Sequence, residues 1–323
     1  MSGVVGETMR AFALRSFDEP AGVLDLPVPV PGPGEVRVRV RAASVNGFDV
    51  FVASGQAKEM MEHRFPVVVG KDFAGVVDAV GEGVDRFAPG DEVVGITPSG
   101  NVLGHGTFGE YVVVPSDGDI EPKPATVEFE QGAALGLAGL AALVSVDAVE
   151  PSEGDVVLVV GATGGVGGFS VQLAARRGAA VIATGLPEDE QGLRDLGAAE
   201  VVDYTDDVAA LVRERRPDGI DGLIDLVNRD PGAFAMLAEL VRDGGRAATT
   251  MGSADVEGLS ARGIAATNVF AQGDPAAFAR LVAAAGSGIL TVPVTRTFAL
   301  EDVPEALELL GSGRARGKYV VTP

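Results

Sequence analysis

The sequence predicts an α/β protein in which an antiparallel β lobe is followed by a doubly wound parallel sheet. Residues 155–178 read DVVLVVGATGGVGGFSVQLAARRG, an unbroken apolar run, a glycine cluster and then apolar residues at helical spacing. Such a run is typical of a strand buried on both faces of a parallel sheet. Strand-like and helix-like segments then alternate as far as residue 270, which is the pattern of a doubly wound sheet.

The first 124 residues carry short segments of alternating polarity, separated by turns rich in glycine and proline. Short strands at this spacing predict an antiparallel β lobe or barrel. The proline-rich VPVPGPGE between the first two strands predicts a turn or an extended linker. The first nine residues are predicted to form a loose extension. The predicted strands are 10–14, 35–42, 67–69, 75–80, 92–95 and 111–114.

The remaining segments complete a two-domain plan. Residues 127–149 predict one or two helices, and the tail predicts helices at 275–286 and 302–312, a strand at 291–298 and a closing strand in GKYVVTP. We predict one domain from residues 1–127 and 271–323, and a second from residues 128–270. The predicted alternating elements of the second are strands 156–160, 180–184, 200–203, 220–227, 245–250 and 264–270, and helices 166–177, 188–196, 206–216 and 231–241.

Composition restricts the function classes. The 323 residues suffice for two domains, and the net charge of −21 would repel nucleic acids and anionic membrane surfaces. With no cysteine, disulfides, thiolate metal sites and a cysteine nucleophile are excluded. The N-terminal MSGVVGETMR lacks the pattern of a secretion signal, and the apolar window 132–146 is shorter than the ~20 residues of a membrane span. We therefore expect a soluble, cytoplasmic protein with no membrane partner.

The glycine cluster predicts a phosphate-binding loop. Glycine permits a sharp turn and a close approach of the backbone, and the following helix offers free N–H groups and the positive end of its dipole. Its position between a buried strand and an amphipathic helix makes the prediction specific for a dinucleotide pyrophosphate.

The chain resembles the medium-chain dehydrogenase/reductase superfamily from about Arg10 to its C-terminus, and within it the zinc-independent quinone oxidoreductase branch. That resemblance implies a GroES-like β-barrel catalytic domain and a Rossmann dinucleotide-binding domain. The glycine loop fits the A-x-x-G-x-x-G form of this branch as Ala162, Gly165 and Gly168. The other segments that carry the likeness are ASVNGFD (43–49), FPVVVGKDFAGVVDAVGEGVDRFAPGDEVVG (65–95), GTFGEYVVV (106–114), LGAAEVVDY (196–204) and the terminal RARGKYVV.

The same resemblance implies that no catalytic zinc is bound. Zinc-dependent relatives carry a cysteine where this chain has Asn46, and Gly-His-Glu where it has Gly70-Lys71-Asp72. A protonated lysine cannot bind zinc, and asparagine is a poor ligand. The third ligand position falls near apolar residues 134–135, and His63 and His105 are isolated in sequence.

The polar groups left for catalysis are Asn46, Asp49 and Lys71. The resemblance places Asn46 and Asp49 on the loop that faces the nicotinamide, where Asn46 could donate a hydrogen bond to a developing oxyanion. Lys71 could supply a charge or a proton, and the alternative is a structural ion pair with Asp49 or Asp72. Some enoyl-reducing relatives have a tyrosine where this chain has Phe51, so the proton donor stays open.

The predicted cofactor is NADPH, with NADH as the less favoured choice. The second strand of the sheet ends Ala-Thr-Gly, without the carboxylate that binds the ribose of NAD, while Tyr204 matches a tyrosine near the 2′-phosphate in NADPH-using relatives. The negative charges at 188–190 would weaken binding of the 2′-phosphate unless these side chains point outward. The positive charge of Arg194 could compensate for them. A basic cluster near the C-terminus contains Arg314, Arg316 and Lys318. These side chains could contact the cofactor phosphates or could simply be exposed to solvent. The predicted cofactor-binding residues are Ala162, Thr163, Gly164, Gly165, Val166, Thr184, Gly185, Tyr204, Leu226, Val227, Met251, Gly252, Asn268, Phe270 and Arg314.

The sequence thus predicts an NADPH-dependent, zinc-independent reductase of quinones or of α,β-unsaturated carbonyl compounds. The alternatives are an enoyl or ketone reductase that tailors a biosynthetic product, and a cofactor-binding protein with little turnover. The expected partner is a small, apolar substrate, bound by loops 52–65 and 99–107 with polar groups at Gln56, Glu59 and Asn101. The resemblance also implies a homodimer joined through the last strand of the cofactor sheet, Ala265–Ala271.

Overall fold

A computed structural model describes residues 7–98 and 102–323. The chain divides into two compact units, a first of Met1–Leu137 with Gln272–Pro323 and a second of Ala138–Ala271. The sequence-based domain limits, at residues 127 and 270, lie slightly before these divisions. The loop residue Asn101 and the first six residues, for which an extension was predicted, lie outside the described ranges.

The strands are numbered in chain order. They are β1 (Thr8–Leu14), β2 (Gly22–Pro27), β3 (Glu35–Ser44), β4 (Glu62–His63), β5 (Val67–Val68), β6 (Asp72–Val80), β7 (Glu92–Ile96), β8 (Val102–Leu103), β9 (Tyr111–Pro115), β10 (Ile120–Pro122), β11 (Val156–Val160), β12 (Ala180–Thr184), β13 (Ala198–Val202), β14 (Ile220–Asp225), β15 (Val241–Thr249), β16 (Ala265–Asn268), β17 (Val294–Ala299) and β18 (Lys318–Thr322).

The helices are numbered in the same way. They are α1 (Gly47–Ala53), α2 (Phe129–Val149), α3 (Gly165–Arg176), α4 (Glu190–Asp195), α5 (Val208–Arg215), α6 (Pro231–Ala238), α7 (Val256–Ala261), α8 (Pro275–Gly286) and α9 (Val303–Gly311), with 3-10 turns at Pro187–Asp189 and Leu300–Asp302. Asp207, Asp230, Asp255 and Asp274 each accept a hydrogen bond from the first turn of the helix that follows them, which satisfies a backbone N–H that the helix leaves unpaired.

The first unit is built on a largely antiparallel sheet in the order β10-β7-β6-β3-β18-β17, with β9 also paired to β3. In β3, Val36, Val38 and Val40 are buried while Arg39 and Arg41 are exposed, as the alternation EVRVRVRA predicts. The end of the chain returns to this sheet as β18, which pairs Val320 with Ser44 at the end of β3. This pairing brings the C-terminal strand to the loop that follows β3.

The second unit contains a six-stranded parallel sheet in the order β13-β12-β11-β14-β15-β16. Val157 and Val159 of β11 pack into one apolar cluster, and Leu158 and Val160 into another. The strand is therefore buried on both faces, as its lack of polar alternation predicts. The strand order is that of a classic dinucleotide-binding sheet.

Several element predictions need correction. The sequence reading missed β2, the short α1 and the six-residue α7, because each is too short to show a period. The helix predicted to reach residue 241 ends at Ala238, since Val241 is taken into β15 by its pairing with Ile220. The last strand of the cofactor sheet ends at Asn268 rather than at residue 270.

Helix α2 is long and apolar enough to span a membrane by length and composition alone. Its 21 residues have a best-window hydropathy of 1.8, but 78% of that window is buried inside the protein. The helix is kinked at Gly136, whose backbone angles are not helical. It is a core helix, as the sequence predicts for this segment.

Candidate active site

The glycine loop of the second unit has the geometry of an anion cradle. Gly161 follows β11 with φ at +83°, a conformation that favours glycine, and its N–H donates to Thr184 Oγ1 at 3.0 Å. Gly164 caps α3 without any side-chain hydrogen bond, and the first turn of α3 contains no acidic residue. The N–H groups of that turn are therefore left for an anion.

The loop also shows why its glycines cannot be exchanged freely. A Cβ atom on Gly167 would lie 2.1 Å from the carbonyl oxygen of Gly161, whereas one on Gly164 would meet nothing closer than 3.4 Å. Gly167 is thus needed for packing of α3 against the loop, while Gly164 keeps the open side free. These features fit the pyrophosphate of a dinucleotide.

Other residues predicted to bind the cofactor lie at one edge of the parallel sheet. The register pairs Val160 with Asp225, Asp225 with Thr249 and Thr249 with Asn268, so the strands end together. Leu226 and Val227 follow β14, and Met251 and Gly252 follow β15. Ligands bind at this carboxyl edge in open parallel sheets.

Several of these side chains already have partners or a packing role. The Asn268 side chain exchanges two hydrogen bonds with the backbone of Ala254, and Thr184 is buried beneath the glycine loop. Val227 lies over Gly161, where its Cγ2 would be 2.6 Å from an added Cβ, and Phe270 is 71% exposed. Contacts from Thr184 and Asn268 to a cofactor would therefore involve the backbone rather than the side chain.

The end of β12 lacks a carboxylate, and the structure shows why a side chain is absent from the next position. A Cβ on Gly185 would lie 2.6 Å from Leu193 Cδ1. Of the acidic run, Asp189 accepts the N–H of Leu186 at 3.0 Å, and Glu190 is paired with Arg194 at 2.8 Å. Arg194 is thus paired with Glu190 and offsets its charge, while Tyr204 is half exposed.

The C-terminal basic cluster proves to be heterogeneous. Arg314 is exposed and belongs to the first unit, so its predicted contact with the cofactor phosphates stays a prediction. Lys318 is only 3% exposed. It is therefore neither available to the cofactor phosphates nor exposed to solvent, and both sequence-based alternatives are wrong for this residue. Its Nζ donates to Asn46 Oδ1 at 2.6 Å and to the carbonyl oxygen of Val45 at 3.2 Å.

Lys318 completes a buried polar network in the first unit. Asp72 Oδ2 accepts from Ser44 Oγ at 2.6 Å and from Asn46 Nδ2 at 2.9 Å, and Asp72 Oδ1 accepts the N–H of Leu137 at 2.8 Å. All four network side chains, Ser44, Asn46, Asp72 and Lys318, are at least 92% buried. The Asp72 carboxylate is therefore satisfied entirely by protein groups.

The network changes the role expected of Asn46. Its Nδ2 donates to Asp72 and also to the carbonyl oxygen of Ser44 at 3.3 Å, while its Oδ1 accepts from Lys318. An amide group has two N–H donors, and both are used. Asn46 has no donor left for a developing oxyanion, so it acts here as a structural link.

Asp49 has one satisfied and one unsatisfied oxygen. Oδ2 accepts the N–H of Asn46 at 2.8 Å at the start of α1, whereas Oδ1 is buried and has no hydrogen-bond partner. The pKa of Asp49 is raised to about 7, chiefly by burial and also by the charge of Asp72, while the Asn46 N–H, Lys318 and Lys71 oppose the shift. Asp49 is therefore protonated in an appreciable fraction of molecules near neutral pH.

Lys71 lies in the same cavity as Asp49. Its Nζ donates to the carbonyl oxygen of Pro98 at 2.7 Å and sits 5.8 Å from the centre of the Phe48 ring. Burial lowers its pKa, against the opposing charges of Asp49, Asp72 and Asp119. No direct ion pair joins Lys71 to Asp49 or Asp72 among the described residues, so the structural alternative raised from the sequence receives no support.

The cavity is small and lies within the first unit. Phe48, Val52 and the 67–69 segment provide its apolar wall, while Thr97 and the exposed His105 also line it. The predicted substrate loops contribute to it only in part, through Val52, Gly104 and His105. The arrangement offers a slot of mixed polarity whose wall includes a carboxyl group and an ammonium group.

The residues at the expected zinc position do not fit a metal. Asn46 and Asp72 are saturated by protein partners, and Lys71 contributes only donors. Within residues 7–98 and 102–323, no group of three His, Cys, Asp or Glu residues is placed to hold a metal ion. His63 instead packs its ring against Phe17, with centroids 4.6 Å apart.

Sequence reasoning did not find the roles of Ser44, Lys318 and the Thr184 hydroxyl. Ser44 and Lys318 lie 274 positions apart and meet only because β18 pairs with β3. The one sequence feature that pointed to Lys318 was its place in RARGKYVV, a segment that carries the family resemblance.

Comparisons with known proteins agree with this architecture. Residues 32–125 match the family model of the alcohol dehydrogenase GroES-like domain, and residues 196–321 match that of a zinc-binding dehydrogenase. The chain is 30% identical over 283 residues to YhfP of Bacillus subtilis, whose name places it among the quinone oxidoreductases, covering 83% of this chain and 84% of that protein. It is also 30% identical to the mitochondrial NAD(P)H oxidoreductase RTN4IP1 of Bos taurus, covering 87% of this chain and 79% of that protein.

A third relative, the trans-enoyl reductase tndF of Aspergillus flavipes, is 36% identical but covers only 48% of this chain and 49% of its own length. Among solved structures, the quinone oxidoreductase of Coxiella burnetii superposes with a TM-score of 0.88 at 27% identity, covering 98% of this chain and 100% of that one. An NAD-dependent alcohol dehydrogenase superposes with a TM-score of 0.85 at 34% identity, covering 97% and 99% of the two chains. The chain therefore belongs to the medium-chain dehydrogenase/reductase superfamily and is an oxidoreductase of its quinone oxidoreductase type.

Proposed function

We propose that this protein is a zinc-independent, NADPH-dependent reductase of quinones or of α,β-unsaturated carbonyl compounds. The observation that carries the proposal is the satisfied network around Asp72. Ser44, Asn46 and the Leu137 N–H occupy both oxygens of that carboxylate, so no metal is needed to compensate its charge. A site without a Lewis acid favours acceptors that are already electron-poor.

The bound dinucleotide would supply the hydride. The open first turn of α3 would hold its pyrophosphate, and the backbone at the ends of β14, β15 and β16 would line its nicotinamide half. The residues of the first unit have a separate task, which is to receive the acceptor group in the cavity and to control a proton near Asp49 and Lys71.

Three features of the second unit support the choice of NADPH. The end of β12 has no carboxylate to bind a ribose diol, a side chain at Gly185 would have to displace Leu193 Cδ1, and the charge of Glu190 is offset by Arg194. The names of the relatives do not agree on the dinucleotide. One is an NAD(P)H oxidoreductase and another is an NAD-dependent alcohol dehydrogenase. We expect kcat/KM with NADPH to exceed that with NADH by at least about tenfold, which corresponds to ~1.4 kcal/mol.

The test is a kinetic survey of protein purified without chelators. Metal content is measured first, and NADPH or NADH consumption is then followed with 1,4-benzoquinone, 2-cyclohexen-1-one, a saturated ketone and a primary alcohol. The expected result is substoichiometric zinc and turnover of the first two acceptors only. Stoichiometric zinc with alcohol oxidation would contradict zinc independence, and equal rates with both dinucleotides would contradict the cofactor choice.

The same survey separates the alternative functions. Turnover restricted to a large enone would indicate a tailoring reductase, an alternative supported by the name of the trans-enoyl reductase relative. Tight NADPH binding without turnover of any acceptor would indicate a cofactor-binding protein.

We further propose that the protein is a cytoplasmic homodimer. Strand β16 is the edge of the parallel sheet, and Phe270 just beyond it is 71% exposed. An unpaired edge beside an exposed aromatic side chain is suited to pairing with a second copy. Light scattering should give twice the chain mass at micromolar concentration, and a monomer would contradict the proposal.

A further inference from the structure

The cavity of the first unit contains two polar groups whose hydrogen-bonding capacity is not used by the fold. Asp49 Oδ1 has no partner although the residue is 99% buried, and it is the only oxygen of that carboxyl left available, because Oδ2 is held by the Asn46 N–H. A buried polar atom without a partner is energetically unfavourable. Asp49 lines the cavity, so a bound molecule that pairs with Oδ1 would remove this cost.

Lys71 is the second such group. An ammonium group has three donors, and among the described residues Nζ uses one, to the carbonyl oxygen of Pro98. Lys71 and Asp49 line the same cavity, beside the ring of Phe48. The cavity is therefore lined by the Lys71 ammonium group and by the Asp49 carboxyl group, whose unpartnered Oδ1 is buried in the cavity wall.

We propose that this cavity holds the carbonyl oxygen of the acceptor, with Lys71 Nζ donating to that oxygen and Asp49 Oδ1 delivering the proton that completes the reduction. The inference rests on the proposed function. It adds two points that the proposed function leaves open, namely which group of the acceptor is bound in the cavity and which residue donates the proton. Asn46, which the sequence reading favoured as oxyanion donor, is replaced in that task by Lys71.

The chemistry balances for an enone. The β-carbon gains the hydride of the reduced dinucleotide, which supplies both electrons, and the C=C electron pair moves to form the enolate. Lys71 stabilises the negative oxygen of that enolate. Asp49 gives its proton to the same oxygen, and the enol formed becomes the saturated ketone; the Asp49 carboxylate recovers its proton from water.

The surroundings of Asp49 explain why a carboxyl group can perform this task near neutral pH. It is flanked by Asp72 on β6, Lys71 before that strand and Lys318 on β18, and its burial outweighs the two cations. An acid with a pKa of about 7 transfers a proton efficiently at that pH. We expect kcat for the enone to fall as pH rises through 7, because Asp49 must be protonated to act.

The alternative is that Asp49 serves only to cap α1. Asp49→Asn separates the two roles, since the amide keeps an oxygen for the Asn46 N–H but cannot deliver a proton. We expect this variant to lose about 10²- to 10⁴-fold in kcat with 2-cyclohexen-1-one, the range for a general acid, while its dissociation constant for NADPH changes less than twofold. Asp25→Asn, an exposed carboxylate on β2, is the matched control.

Lys71 is tested in parallel. Lys71→Met should lower kcat/KM for the enone by about 10²-fold, the loss seen for one oxyanion donor, and Lys71→Arg should restore part of it. Arg280→Met, which removes an exposed cation on α8 outside the proposed site, is the control and should leave the rates unchanged.

The outcomes separate the two proposals. If the unaltered protein reduces neither benzoquinone nor cyclohexenone, the proposed function fails and this inference fails with it. If the unaltered protein is active but Asp49→Asn keeps more than half of its kcat, or the kcat of the unaltered protein is constant from pH 6 to 9, Asp49 only caps the helix and the inference alone is overturned.

Discussion

Lys318 provides the sharpest test of the buried network. Its Nζ donates to Asn46 Oδ1 and to the Val45 carbonyl oxygen, and its charge faces Asp72 and Asp49 in a region that water does not reach. Lys318→Met keeps the length and the apolar stem of the side chain while removing all of these interactions. Two buried acceptors then lose a donor, and two carboxyl groups lose their nearest buried cation.

The expected cost follows from these contacts. Each unsatisfied buried acceptor costs about 1–3 kcal/mol, and removing one partner of a buried charge pair costs about 3–5 kcal/mol. Burial also lowers the pKa of Lys318, which means that the cation pays a desolvation penalty that the methionine avoids. We therefore expect a net loss of about 2–5 kcal/mol in the free energy of unfolding of the first unit.

The assay is urea unfolding at pH 7, followed by thermal unfolding. Two compact units can unfold in separate steps, so each transition is fitted individually and only one should shift. Lys58→Met, at an exposed position, should stay within about 0.5 kcal/mol of the unaltered protein. A loss below about 1 kcal/mol for Lys318→Met would refute the assignment of Lys318 as the cation that holds this network.

Three further outcomes are expected. Gly167→Ala should destabilise the second unit and abolish dinucleotide binding, because the new Cβ would lie 2.1 Å from the Gly161 carbonyl oxygen, whereas Gly164→Ala, with 3.4 Å of clearance, should fold normally; equal melting temperatures would contradict the packing argument. Thr184→Val should cost about 1 kcal/mol, since it leaves the partly buried Gly161 N–H without its acceptor, and denaturant titration measures the loss. Because the pKa of Asp49 is raised to about 7 from an unfolded value of 3.8, the folded protein binds the extra proton. Its stability relative to Asp49→Asn should therefore be greatest below pH 4 and fall by at most about 4 kcal/mol as pH rises to 7, then stay level. A pH-independent difference between these two proteins would show that burial does not raise this pKa.

Much of the fold could be read locally. The apolar run 156–160 predicted a strand buried on both faces, and its residues do divide between two apolar clusters. The alternation in β3 predicted one buried and one exposed face, and the glycine loop predicted an open helix N-terminus. These features have periods or turn requirements that lie within a few neighbouring residues, so the sequence reports them directly.

The candidate acid–base site could be predicted only in part. Asn46, Asp49 and Lys71 were identifiable as polar residues in an otherwise apolar setting, but their roles were not. The Asn46 amide donates to Asp72 and to the Ser44 carbonyl oxygen, and its own oxygen accepts from Lys318, which lies 272 positions away. A hydrogen-bond count of this kind requires coordinates.

By itself, the sequence determined the fold class, the dinucleotide loop and the absence of the residue types that bind zinc at the expected positions. The tertiary structure decided which polar groups are already satisfied and which remain available. It showed that β18 carries a buried cation back to the loop after β3, and that Asp49 keeps one unpartnered oxygen at a cavity that Lys71 shares. The physical reason is that burial and hydrogen-bond saturation arise from long-range strand pairing, whereas periodicity and glycine placement are local properties of the chain.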